Sequence, residues 1–147
     1  MRLRRPRRPQ QFRLADSAQQ TVGGFLLAGP FVVTEEVWTL AENMHLLQAL
    51  VIVAIVFGIG YAALYKADTT RDADDEQEVV GIPLRFISLM TVTFGSVTIL
   101  ALLFGAPSTF LETESTGELA ETTFKAVSVG SVFSVVGAAT ADSIFAK

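Results

Sequence analysis

Four blocks of apolar residues alternate with charged or turn-rich stretches along the chain. Each block is close to the roughly 20 residues, at about 1.5 Å of rise per residue, that a helix needs to cross a hydrocarbon core about 30 Å thick. They fall at 22–40, 45–65, 83–104 and 124–146. The second, HLLQALVIVAIVFGIGYAALY, has no Asp, Glu, Lys or Arg. The third carries Arg85 and a series of Ser and Thr residues. The fourth is built from Val, Phe, Ser, Gly and Ala, a composition suited to burial among other helices. The first, VGGFLLAGPFVVTEEVWTL, is interrupted by a Gly-Pro pair and two adjacent glutamates. The pattern therefore predicts an all-α integral membrane bundle of about four transmembrane helices in two antiparallel hairpins, preceded by a basic tail at 1–21. A three-span arrangement would leave the first block on the membrane surface or re-entering.

Charge fixes the expected orientation. Arg2, Arg4, Arg5, Arg7, Arg8 and Arg13 precede the first block, Lys66 and Arg71 follow the second, and Lys147 ends the chain. Four crossings put all of these on one side and only Lys125 opposite, so the positive-inside bias places both termini in the cytoplasm of a multi-pass cell-membrane protein. Composition agrees: half the residues are apolar, with a mean hydropathy of +0.46. The net charge of -4 averages the basic tail against the acidic stretches 68–78 and 112–121, whose density resembles the surfaces of proteins from salt-loving microbes. With no cysteine there is no disulfide or thiolate chemistry.

Small residues recur every four positions at Ala54, Gly58 and Ala62, and again at Gly130, Ser134 and Ala138. Such ridges let helix backbones approach, either within one chain or between copies, and a homo-oligomer is expected. Gly29 and Pro30 should kink the first span and free the carbonyl of Leu26.

The candidate functional groups are charges placed where lipid makes them costly. Glu35 and Glu36 follow the kink and would lie toward the outer side of the midplane, where an ionised carboxylate costs on the order of 3 kcal/mol. If the span instead starts earlier, near Ala15, both reach the outer headgroups, with Trp38 as an interface anchor. Arg85 stands at the inner boundary and can snorkel. Alternatively, with Ser88, Thr91, Gly95 and Thr98 it forms a polar stripe on one helical face. Asp142 lies at comparable depth and can pair with it. His45 has no second ligand at metal spacing and reads as a cap. The acidic loop lacks a calcium pattern, so no metal or cofactor is expected. The basic tail is short and proline-broken, and topology explains it better than nucleic-acid binding.

The stretch GGFLLAGPFVVTEEVW, with Gly23, Gly24, Pro30, Glu35 or Glu36, and Trp38 as matching positions, resembles the opening span of a family of integral membrane proteins catalogued as domain of unknown function 2391. The resemblance implies a multi-span membrane protein and no known activity. The expectation is a small oligomeric channel or transporter-like protein for a cation or proton, in contact with the lipid bilayer. The competing class is a non-catalytic scaffold or regulatory subunit. No catalytic motif supports an enzyme.

Overall fold

The computed structural model describes residues 12–67 and 78–145. The arginines at 2–8, most of the acidic loop between the second and third blocks, and Lys147 lie outside these residues.

The first helix, α1, runs Leu14–Val32, earlier than the expected 22–40. Its start is fixed by Asp16, whose carboxylate accepts the backbone N–H of Arg13 at 2.8 Å. It carries Pro30 only two residues from its end, where Thr34 Oγ1 donates to Phe31 O at 2.8 Å. The polar residues Asp16, Ser17, Gln20 and Thr21 thus occupy its first half, and the apolar residues its second.

The connection to the next long helix is a short amphipathic helix, α2, at Glu35–Asn43, which buries Val37, Trp38 and Ala41. Helix α3 follows at Leu46–Ala62, opened by Gln48, whose side-chain oxygen accepts the His45 backbone N–H at 2.7 Å. It ends in a π-helical turn, Ala63–Ala67, which buries Leu64 and Tyr65. A two-stranded hairpin, β1 (Glu78–Val79) and β2 (Ile82–Pro83), turns through Val80 and Gly81, both at positive φ. Helix α4 then runs Leu84–Leu103, short α5 Ala106–Phe110, and α6 Thr116–Phe145. Helix α3 with its π turn, α4 and α6 are each long and apolar enough to cross a membrane.

Contacts fix the directions. Asp16 meets Arg85, Gly24 lies beside Ser96, and Val32 clusters with Val97 and Ala101, so α1 runs parallel to α4. Both oppose α6: Asp142 pairs with Arg85, and a Cβ on Gly130 would press on Val97. Tyr61 and Phe57 meet Phe86, and Phe57 meets Phe94, which sets α3 antiparallel to α4. The helices alternate in direction, yet the expected hairpin of the first two long helices is not a packed pair. Helix α1 packs on α6 and α4, while α3 packs chiefly on α6, because the close approaches available to α1 are on α6. A Cβ added at Gly23 would strike the carbonyl of Gly137, and one at Gly137 the carbonyl of Gly23, so only glycine lets these backbones meet. Gly130, Ser134 and Ala138 are buried in α6, whereas Ala54, Gly58 and Ala62 are exposed on α3. Gly60 is instead the α3 glycine that packs, beside Met90, Leu89 and Val135.

Two apolar clusters flank this frame. One, at the Trp38 end, gathers Val32, Trp38, Val97, Ala101, Leu111 and Val127. The other joins α3 to α4 and α6 through Val56, Leu64, Leu89, Met90 and Val135.

Candidate functional site

At the opposite end from Trp38, where α1, α4 and α6 meet, polar side chains replace the apolar ones. Arg85 stands in the first turn of α4 and is only 4% exposed. Its Nη1 donates to Asp142 Oδ1 of α6 at 2.6 Å, and its Nη2 donates to Asp16 Oδ2 of α1 at 3.3 Å. Asp142 is fully buried and Asp16 nearly so. The Phe12 ring lies 5.6 Å from the guanidinium carbon, within cation–π range. The snorkelling expectation for Arg85 is thus corrected: carboxylates on two neighbouring helices satisfy the guanidinium inside the protein, so it has no need to reach the headgroups.

Asp16 is the member that sequence reasoning missed, since it precedes the apolar block. Its signal was available: an acid three residues after Arg13, with Gln20 one turn on and Gly23 and Gly24 one turn further, marks an inward face. Gln20 extends the cluster. Its Nε2 lies 3.5 Å from Arg85 O, and its Oε1 accepts from Ser88 Oγ at 2.7 Å. Ser17 Oγ is 2.8 Å from Ser88 Oγ. The Ser88 proton goes to Gln20, so Ser17 is the donor in that pair.

Polarity continues to the midpoint of α4. Ser134 Oγ lies 3.3 Å from Gly24 O and 3.1 Å from Thr93 O, joining all three helices. Thr93 and Ser96 are buried near it, and among the described residues neither Thr93 Oγ1 nor Ser96 Oγ has a hydrogen-bond partner. Beyond them Val32, Val97, Ala101, Val127 and Trp38 close the bundle with apolar side chains. The arrangement is a charged end, a hydroxyl-lined middle and a mainly apolar closure, beside which buried Lys125 pairs with Glu121 at 2.8 Å.

The expected stripe is only partly drawn in. Ser88 belongs to the cluster. Thr91 is exposed and bonds its own helix at Ile87 O, Thr98 does the same at Phe94 O, and a Cβ on Gly95 would meet nothing. Steps of three residues drift by about 60° per step around a helix, which carries Thr91 off the face that Arg85 occupies. Glu35 and Glu36 are both exposed in the first turn of α2, at the Trp38 end, where the helix dipole favours them. They do not stand inside the bundle, because α1 ends before them. Gly29 is half-buried and Pro30 exposed near the end of α1. Trp38 is buried, with Nε1 donating to Val32 O at 2.9 Å, and is not an interface anchor. Among the described residues no three His, Cys, Asp or Glu side chains converge as metal ligands.

No curated protein and no solved structure matches the chain. A family model described as "Putative integral membrane protein (DUF2391)" matches residues 4–144.

Proposed function

The chain belongs to the DUF2391 family of integral membrane proteins, and on that premise we propose that it moves a proton or small cation across the bilayer, with Asp16, Arg85 and Asp142 as the charged site the ion meets. The observation that carries this reading is the burial of one guanidinium between carboxylates of two other helices. Charge in the interior of a membrane bundle is expensive, and apolar packing of equal volume holds helices together as well or better. Its retention therefore points to use. The polar residues that continue from the cluster to the midpoint of α4 supply a route, and the apolar closure at the Trp38 end favours a gated, transporter-like device over an open pore.

In this reading α1 is the fourth crossing. It lies beside α4 along its whole length, so if α4 crosses then α1 crosses with it. The arginine-rich start sets the charged end and both termini in the cytoplasm of a cell membrane. The role is not enzymatic. The exposed ridge of Ala54, Gly58 and Ala62 is the face on which copies of the chain would meet in a homo-oligomer.

A scaffold or regulatory subunit is the second reading, supported by the same pair of contacts, because Arg85 ties three helices in register. Flux into proteoliposomes, measured separately for protons, sodium, potassium and chloride, distinguishes the two. Transport requires flux in the native protein that is lost in Asp16→Asn and Asp142→Asn variants while their helical content survives. Glu35→Gln and Glu36→Gln should leave it unchanged. An absence of flux in the native protein for every ion, with loss of folded protein in Asp142→Asn, would establish the scaffold.

A further inference from the structure

Hydroxyl side chains in membrane helices commonly satisfy themselves by donating to the carbonyl one turn back. Here Thr91, Thr98, Thr123, Ser128 and Ser131 all do so, at 2.6–2.9 Å. Thr93 and Ser96 do not, although they are among the most buried polar residues of α4, at 0% and 2% exposure. A buried hydroxyl left unpaired gives up its hydrogen bonds to water with nothing in return. The ready local bond is forgone at two positions one helical turn apart.

Ser96 faces the same strip as Ser134: a Cβ on Gly24 would come within 3.1 Å of Ser96 Oγ and, equally, of Ser134 Oγ, so two helices direct hydroxyls at the bare backbone of α1, and Ser134 ties Thr93 to the same junction through its carbonyl. Ser134 has one proton for two carbonyls, Gly24 O and Thr93 O. The three hydroxyls therefore leave hydrogen-bonding capacity open at the junction of α1, α4 and α6.

We propose that Thr93, Ser96 and Ser134 hold bound water at the middle of the bundle, and that this water passes protons between the Asp16–Arg85–Asp142 cluster and the midpoint of the membrane. This rests on the transport reading for its second half and selects the proton over a metal cation. A hard cation stripped of water asks for about six oxygen ligands. Thr93 Oγ1 and Ser96 Oγ, with a share of Ser134, fall short of that, whereas a water needs two to four polar partners. Hydroxyls both donate and accept, which is what relaying a proton through water demands. Gln20 and Ser88 lie between the junction and the ions, and both are already in one hydrogen-bonded chain.

The test is water-edited solid-state NMR on the native chain in liposomes, with proton uptake measured on the same samples. Magnetisation transfer from water to the side chains of Thr93 and Ser96, and not to those of Ser128 and Ser131, is the expected result. Thr93→Val with Ser96→Ala should abolish most proton flux, while Ser128→Ala with Ser131→Ala leaves it intact. No transfer to Thr93 or Ser96 would overturn the water site even if protons flow. Transfer with undiminished flux in the Thr93→Val, Ser96→Ala variant would overturn the relay. A native protein that shows the transfer but passes no ion at all would instead sink the transport reading and leave the water site standing.

Discussion

Trp38 joins two elements with one hydrogen bond. Val32 ends α1, so its carbonyl has no intrahelical donor, and Trp38 Nε1 from α2 supplies one at 2.9 Å. The indole also stacks on Phe110 of α5, with ring centroids 6.1 Å apart. Trp38→Phe keeps most of the apolar contact and leaves the carbonyl unpaired inside an apolar cluster. It should lower stability by about 1–3 kcal/mol, read from denaturant unfolding in detergent or bicelles. A variant as stable as the native chain would mean that the carbonyl finds water. A tryptophan beside two acids at the end of an apolar block reads in sequence as an interface anchor. The burial of this one comes from α5 and α6, which are far away in the chain and silent in the local pattern.

At the scale of elements, hydropathy locates the three helices that are apolar along most of their length and misplaces the one whose first half is polar. The expected 45–65 and 83–104 lie close to α3 with its π turn and to α4, and 124–146 falls almost entirely within α6. Helix α1 was shifted because its first half is polar: Asp16, Ser17 and Gln20 look like tail residues until Arg85 and Ser88 are set against them. Hydropathy measures transfer to lipid and is blind to a polar partner on another helix. The Arg85–Asp142 pairing is legible from depth alone, since each lies within about one turn of a helix end on the same side. Small-residue ridges were half legible. The spacing of four found Gly130, Ser134 and Ala138 but could not tell a buried ridge from the exposed one at Ala54, Gly58 and Ala62, nor find the Gly23–Gly137 approach across two helices. That difference predicts opposite responses to one methyl group. Gly23→Ala and Gly137→Ala each force a Cβ onto backbone that cannot swing aside and should cost about 1–3 kcal/mol or more. Within one chain Gly58→Ala meets open space, so unfolding of the monomer in detergent should be unchanged or gain up to about 1 kcal/mol, whatever the methyl does to contacts between copies. Equal losses at all three positions in unfolding measurements would show that α1 and α6 do not meet backbone to backbone at Gly23 and Gly137.

For the whole molecule the decisive question is how many times the chain crosses. Composition favours α3, α4 and α6 as spans, since each holds a stretch long and apolar enough to cross, while α1 has a polar half that lipid alone would not accept. Geometry reverses that disadvantage. The polar half of α1 is turned onto α4 and α6, and Leu26, Leu27 and Val22 form its exposed side, so the surface it offers to lipid is apolar even though its sequence is mixed. A helix lying flat on the membrane could not touch α4 at Arg85 and again at Ser96 and Val97, because those positions are separated by about 17 Å along the α4 axis. Four crossings put Leu14 and Lys66 on one side and Asn43 and Ser115 on the other. Because the chain has no cysteine, single cysteines can be placed at each of these exposed positions without a background. A maleimide that does not cross the membrane should label Leu14→Cys and Lys66→Cys from the same face, and Asn43→Cys and Ser115→Cys only from the other. Labelling of Leu14→Cys together with Asn43→Cys would leave α1 on the surface. The contacts of Asp16 with Arg85 and of Gly23 with Gly137 would then have to be given up together, for they depend on one placement of one helix.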